Sequence, residues 1–124
     1  MKKYILFLLV MLSCLAGMAQ TLTAKSGVSM TGGTNGYYEF LPSTYNGTAK
    51  LPVIIFIHGL GEVGNGTSQL GNILNFGLPN VIAGDMTWFN TKGAICIMPQ
   101  FSSGWPGPNT INNVINYVRS LELF

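Results

Sequence analysis

The sequence predicts an α/β fold on a mainly parallel sheet, and two apolar runs carry that prediction. Residues 51–59 read LPVIIFIHG and residues 93–100 read GAICIMPQ. Both are short, apolar and bounded by glycine or proline, the look of strands buried on both faces of a parallel sheet. Each is followed by a loop and then by a helical pattern. That order builds the βαβ crossover, in which a helix returns the chain to the sheet.

The first nineteen residues stand apart from this pattern. Lys2 and Lys3 precede a run from Tyr4 to Leu15 that is apolar apart from Ser13 and Cys14, and small residues follow at Gly17 and Ala19. This is the layout of a secretory signal peptide over residues 1–19, with cleavage after Ala19. Two other readings are a retained membrane anchor, for which the run falls short of the ~20 residues a spanning helix needs, and a lipoprotein modified at Cys14. The expected location is secreted or periplasmic, with no membrane association once the leader is removed.

Removal of the leader changes the charge argument. The remaining Lys25, Lys50, Lys92 and Arg119 balance Glu39, Glu62, Asp85 and Glu122, so the formal +2 of the whole chain belongs to the leader. No basic patch with interleaved aromatics is present, and nucleic acid is not an expected partner. Cys96 is left as a single cysteine inside AICIM, where it reads as a small core residue and not as half of a disulfide. One histidine, one cysteine and four dispersed acids make no metal site, and no cofactor is expected. A phosphate loop needs G-x-x-x-x-G-K-[ST], and the glycine-rich stretch has no such lysine. Oligomeric state is not legible.

Residues 20–36 are small and polar, with turn signals at Gly32-Gly33 and Asn35-Gly36, and read as a flexible lead-in. Residues 37–124 form the expected domain. YYEFLP alternates as a strand closed by Pro42, and Asn46-Gly47 marks a tight turn. After the run at 51–59, Thr67 or Ser68 is placed to cap a helix with Leu70, Ile73 and Leu74 on one face, ended by Gly77. LPNVIAG gives a further helical turn with Pro79 near its start. Beyond the second run, Asn109 or Thr110 is placed to cap a helix striped by Ile111, Val114, Ile115, Val118 and Leu121. That helix reads as a crossover whose return strand is absent, so the expectation is a chain that stops short of a full sheet.

The chemistry centres on HGLGEVGNG, residues 58–66. Ligands of open parallel sheets bind at the carboxyl ends of strands. His58-Gly59-Leu60-Gly61 at such an end would present backbone N–H groups with little side-chain cover. Donors of that kind stabilise an oxyanion, each contributing about 2.7–4 kcal/mol to an acyl-transfer transition state. The alternative is a purely structural turn with a satisfied strand-end histidine. Glu62 reads either as a substrate contact or as a solvated loop carboxylate. Trp105 reads either as the wall of a substrate pocket or as a packed loop aromatic.

VIIFIHGLGEVGNG resembles the oxyanion loop of α/β-hydrolase esterases. HGLGE is close to the HGLGD form of the carboxylesterase and thioesterase branch. The ordered set of YYEFLP, a Tyr-Asn loop, HGLGEVG, a Leu-Pro turn and PQ before a tryptophan loop is similar to a secreted bacterial group of predicted peptidases or esterases. The likeness runs from Tyr37 to the end of the chain. It implies an incomplete α/β-hydrolase fold of carboxylesterase or dienelactone-hydrolase type, truncated before the nucleophile elbow. It also implies Leu60 N–H as oxyanion donor with Gly61 close by, and His58 and Gly59 as loop-shaping residues. The substrate it implies is a small-molecule or polymeric ester or peptide.

The chain departs from that group in its missing triad. G-x-S-x-G is absent. Ser68, Ser102, Ser103 and Ser120 lack its context, no second histidine exists, and Asp85 sits in a loop. The expectation is a serine-hydrolase fragment that is inactive alone. The alternative function is a non-catalytic secreted module that binds carbohydrate or another small ligand.

Overall fold

The computed structural model describes residues 18–124. Most of the leader expected over residues 1–19, and Cys14 with it, lies outside the described residues. Four strands form one sheet: β1 (Thr21–Ser26), β2 (Thr34–Leu41), β3 (Val53–Ile55) and β4 (Ile95–Phe101). Three helices follow or separate them: α1 (Gly77–Gly84), α2 (Met86–Asn90) and α3 (Pro108–Ser120). Two 3-10 segments, Leu60–Glu62 and Leu70–Asn75, lie between β3 and α1.

The spatial order is β1-β2-β4-β3. β1 with β2 and β2 with β4 pair antiparallel, and only β3 with β4 pair parallel. The sheet is therefore mixed, which corrects the expected mainly parallel architecture and with it the incomplete α/β-hydrolase fold class. The reason lies in β2, which pairs antiparallel with both β1 and β4. A loop over residues 27–33, with positive φ at Gly27, Thr31, Gly32 and Gly33, reverses the chain between β1 and β2. Residues 20–36, read as a polar lead-in, thus supply an edge strand and the start of its partner. β1 shows only a half-buried Leu22 and Lys25, and Lys25 pairs with Glu39 across the ladder at 3.2 Å. So polar a strand leaves little apolar alternation to find.

The two apolar runs also differ from each other. All seven residues of β4 are buried. β3 is short and lies at the edge of the described sheet, with Ile54 38% exposed. β4 divides the core into two layers, because successive side chains point to opposite faces. Ile95, Ile97 and Phe101 pack with Tyr37, Val114 and Val118 on the α3 side. Cys96 and Met98 pack with Phe40, Leu70, Ile73, Ile82 and Phe89 on the other.

Local chemistry accounts for the helices. Pro108 opens α3 with Gly107 before it, in place of the expected Asn109 or Thr110 cap; proline at the first helical position has no N–H to leave unsatisfied. Residues 70–75 wind as 3-10 and not as an α-helix. Gly71 sits inside that segment, and glycine weakens an α-helix by about 1 kcal/mol relative to alanine. Gly77 has φ +64°, and a Cβ there would meet the Phe56 ring at 2.7 Å, so only glycine lets α1 start against the residue that follows β3. Asp85 precedes α2, its carboxylate accepting from Trp88 N–H at 2.8 Å.

Tyr37 and Tyr117 tie α3 to the sheet, edge to face with ring centroids 5.7 Å apart and hydroxyls 3.3 Å apart. Burial, then the bond to Tyr117, raises the ionisation of Tyr37 well above the ordinary phenol range. Burial pushes the Cys96 thiol up to about 12. Cys96 is a core residue, and so protonated a thiol is a poor nucleophile.

Candidate functional site

β3 and β4 run parallel, so the loops that follow them leave the same end of the sheet. The first carries His58, Gly59, Leu60, Gly61 and Glu62; the second carries Trp105. His58 is buried at the end of the apolar run. Its Nε2 accepts the backbone N–H of Phe101 at 2.9 Å, and its Nδ1 lies 2.6 Å from the carbonyl oxygen of Gly59. A backbone N–H only donates and a carbonyl only accepts, so the proton sits on Nδ1 and the Nε2 lone pair is committed. Both ring nitrogens are used within the fold. The imidazole has no free basic site to offer a nucleophile.

This bond also orients a peptide plane. In a trans peptide the C=O and the following N–H point in opposite directions. Holding the Gly59 carbonyl against His58, with Glu62 N–H also donating to it at 3.3 Å, turns Leu60 N–H the other way. Neither Leu60 N–H nor Gly61 N–H meets an acceptor among the described residues. The Leu60 side chain is 62% exposed. A Cβ on Gly61 would meet nothing within 4 Å. Two adjacent donors are thus left unpaired on an exposed part of the turn.

Glu62 turns inward. It is 7% exposed, its Oε2 lies 3.9 Å from His58 Nδ1, and that oxygen has no hydrogen-bond partner. It lies buried against Gly59 and is no solvated carboxylate. Trp105 is the opposite case, 73% exposed in the loop after β4. It is not packed into the core.

The second half of the loop is built differently. Gly64 N–H donates to the Phe101 carbonyl at 3.0 Å. Gly66 has φ +70° and its carbonyl accepts from Gly27 N–H at 3.0 Å. A Cβ on Gly66 would collide with the Asn35–Gly36 peptide, and one on Gly36 would collide with the Gly66 carbonyl. These glycines allow one stretch of backbone to lie on another. The Asn65 side chain caps the turn, its Oδ1 accepting from Thr67 N–H at 3.0 Å and Gln69 N–H at 3.1 Å.

The residue that sequence reasoning missed is Gln100. It is fully buried near the end of β4. Its Nε2 donates to the carbonyls of Glu62 at 2.9 Å and Gln69 at 2.7 Å, and its Oε1 accepts from Gly66 N–H at 2.8 Å. The available signal was a lone amide in an otherwise apolar buried run. Such a side chain must find polar partners, and the nearest unpaired backbone lies in the loop beside it.

Among the described residues no nucleophile and base are brought together. Ser68 Oγ accepts from Asn65 Nδ2 at 3.0 Å, Ser120 Oγ donates to the Tyr117 carbonyl at 2.6 Å, and Asp85 caps α2. Among the described residues no three His, Cys, Asp or Glu side chains cluster as metal ligands. No helix among them is long and apolar enough to cross a membrane. No protein-family profile matches the sequence, and no curated protein is significantly similar to it.

Proposed function

We propose that residues 58–62 are the oxyanion-binding loop of a secreted serine hydrolase acting on carboxylic esters or peptides. The observation that carries this reading is the pair of adjacent unpartnered donors, Leu60 N–H and Gly61 N–H, the first of them on the 59–60 peptide whose carbonyl is held by His58. The likeness of HGLGEVG to secreted esterases and peptidases supports it. In the reaction a serine alkoxide attacks the acyl carbon, the carbonyl π electrons move to oxygen, and the two N–H groups hold the resulting O⁻. His58 positions the loop and takes no proton. Trp105, exposed at the same sheet end, is the side chain available to pack against substrate.

Nucleophile, acid and base are not assembled among the described residues, so the chain alone is expected to be inactive. Purified protein should hydrolyse p-nitrophenyl acetate no faster than a control in which Ser68, Ser102, Ser103 and Ser120 are alanine. Turnover lost with one of those serines would refute the inactivity and reveal a nucleophile. The donor pair is tested by binding. The tetrahedral monoanion of methyl butylphosphonate should shift the amide NMR signals of Leu60 and Gly61, and Leu60→Pro, which removes one donor, should weaken that binding. A wild-type spectrum that does not respond to the phosphonate ends the oxyanion reading.

A non-catalytic binding module is the second reading, favoured by the exposure of Trp105. A soluble oligosaccharide that quenches Trp105 fluorescence and leaves Leu60 and Gly61 unmoved would favour it. Location follows from the leader: exported protein should begin at Gln20 on N-terminal sequencing, and a product retaining Met1 would contradict secretion.

A further inference from the structure

We infer that Gln100 is a positioning residue for the Leu60 and Gly61 donors, an inference that rests on the oxyanion reading of that loop. The 3-10 turn holding the donors has two ends. Its entrance is fixed by His58, which grips the Gly59 carbonyl. Its exit is the Glu62 carbonyl, and there Gln100 Nε2 donates at 2.9 Å. The same carboxamide binds Gly66 N–H and the Gln69 carbonyl. One side chain on the most buried strand therefore ties the end of the donor turn to two later points of the loop.

The anchor is rigid for stated reasons. Gln100 is wholly buried, and its hydrogen-bonding atoms are matched to fixed backbone groups. Gly64 lies directly over the carboxamide, and a Cβ there would stand 2.7 Å from Gln100 Cδ. The amide has no room to rotate, so its two donors and its acceptor stay in register. His58 and Gln100 are both tied to the end of β4, His58 through the N–H of Phe101. The end of β4 thus holds the donor turn at both ends. An oxyanion site works only when its donors are held where charge will develop, and misplacement of about an ångström is costly.

The experiment uses the 15N-labelled chain and the methyl butylphosphonate monoanion, with the dissociation constant read from the Leu60 and Gly61 amides. Gln100→Met keeps length and burial and removes all three hydrogen bonds. We expect binding at least about tenfold weaker, displaced Leu60 and Gly61 signals in the free protein, and unmoved sheet signals at Phe40 and Cys96. Gly64→Ala is the second variant. It keeps the glutamine but drives a methyl group into its carboxamide and displaces it, and it should reproduce the loss.

A folded variant with lowered stability and an unchanged dissociation constant would show Gln100 to be structural only and overturn the inference. If neither variant retains the sheet signals, Gln100 is a folding residue and the positioning role falls. A wild-type chain that does not respond overturns the oxyanion reading and this inference together. Unequal results between wild type and variants bear on Gln100 alone.

Discussion

The glycine loop after β3 has two halves that look alike in sequence and do opposite things. In residues 59–62 the backbone is bare toward the outside: Gly61 has open space at its Cβ position, and two N–H groups lack acceptors among the described residues. In residues 63–66 the backbone is bare toward the inside. Gly64 lies against Gln100, and Gly66 lies against the Asn35–Gly36 peptide. In the first pair, Gly61 permits approach from solvent, while Gly59 leaves room for the Glu62 carboxylate, 3.2 Å from where its Cβ would stand. The second pair permits the fold to close, and the placement of the first depends on it.

The contrast is broken most severely at Gly66. Gly66→Ala puts a side chain at φ +70° and into the Asn35–Gly36 backbone. Left-handed strain and overpacking together should cost about 3 kcal/mol or more, read as a lower urea midpoint at unchanged slope. A midpoint within error of wild type would mean that the second half is as free as the first, and the distinction would be lost.

His58 is the next largest effect, because it joins the halves to the sheet. His58→Ala leaves the Phe101 N–H without its acceptor, takes the imidazole donor from the Gly59 carbonyl, and opens a cavity beside Phe101 and Glu62. The expected loss is about 2–4 kcal/mol. The amides of Leu60 and Gly61 should also broaden or shift, since the 59–60 peptide is then held only by the 3.3 Å bond from Glu62 N–H. If stability falls while those two signals keep their positions, the peptide plane is fixed by something other than the imidazole.

Several of these features were legible beforehand, and others were not, for physical reasons. β4 and the stripe of α3 were readable because burial demands continuous apolar chemistry. β1 was not, since an antiparallel edge strand with Thr21, Thr23 and Lys25 needs almost no apolar side chains. One parallel pairing was inferred correctly from the order of strand, loop and helix, but β2 beside β4 is a long-range choice that no local pattern encodes. That choice makes the sheet mixed. In the loop, the four glycines announced close approach without saying of what. Only the side chains opposite them, Gln100 at Gly64 and open space at Gly61, separate packing from access.

Gly61→Ala sharpens the comparison with the smallest effect. The position has no positive φ, and an added methyl group meets nothing within 4 Å. Replacing glycine there removes conformational freedom from the unfolded chain and should change stability by less than about 1 kcal/mol, in the stabilising direction. The sign is opposite to that at Gly66, five residues away and of the same residue type. Phosphonate binding is the second readout. The Gly61 N–H survives the substitution, so a weakened complex in a slightly stabilised protein would report a methyl group standing in the ligand's path. Loss of stability at Gly61 would instead show that the first half, too, is packed against the fold, and the open donor pair would have to be abandoned.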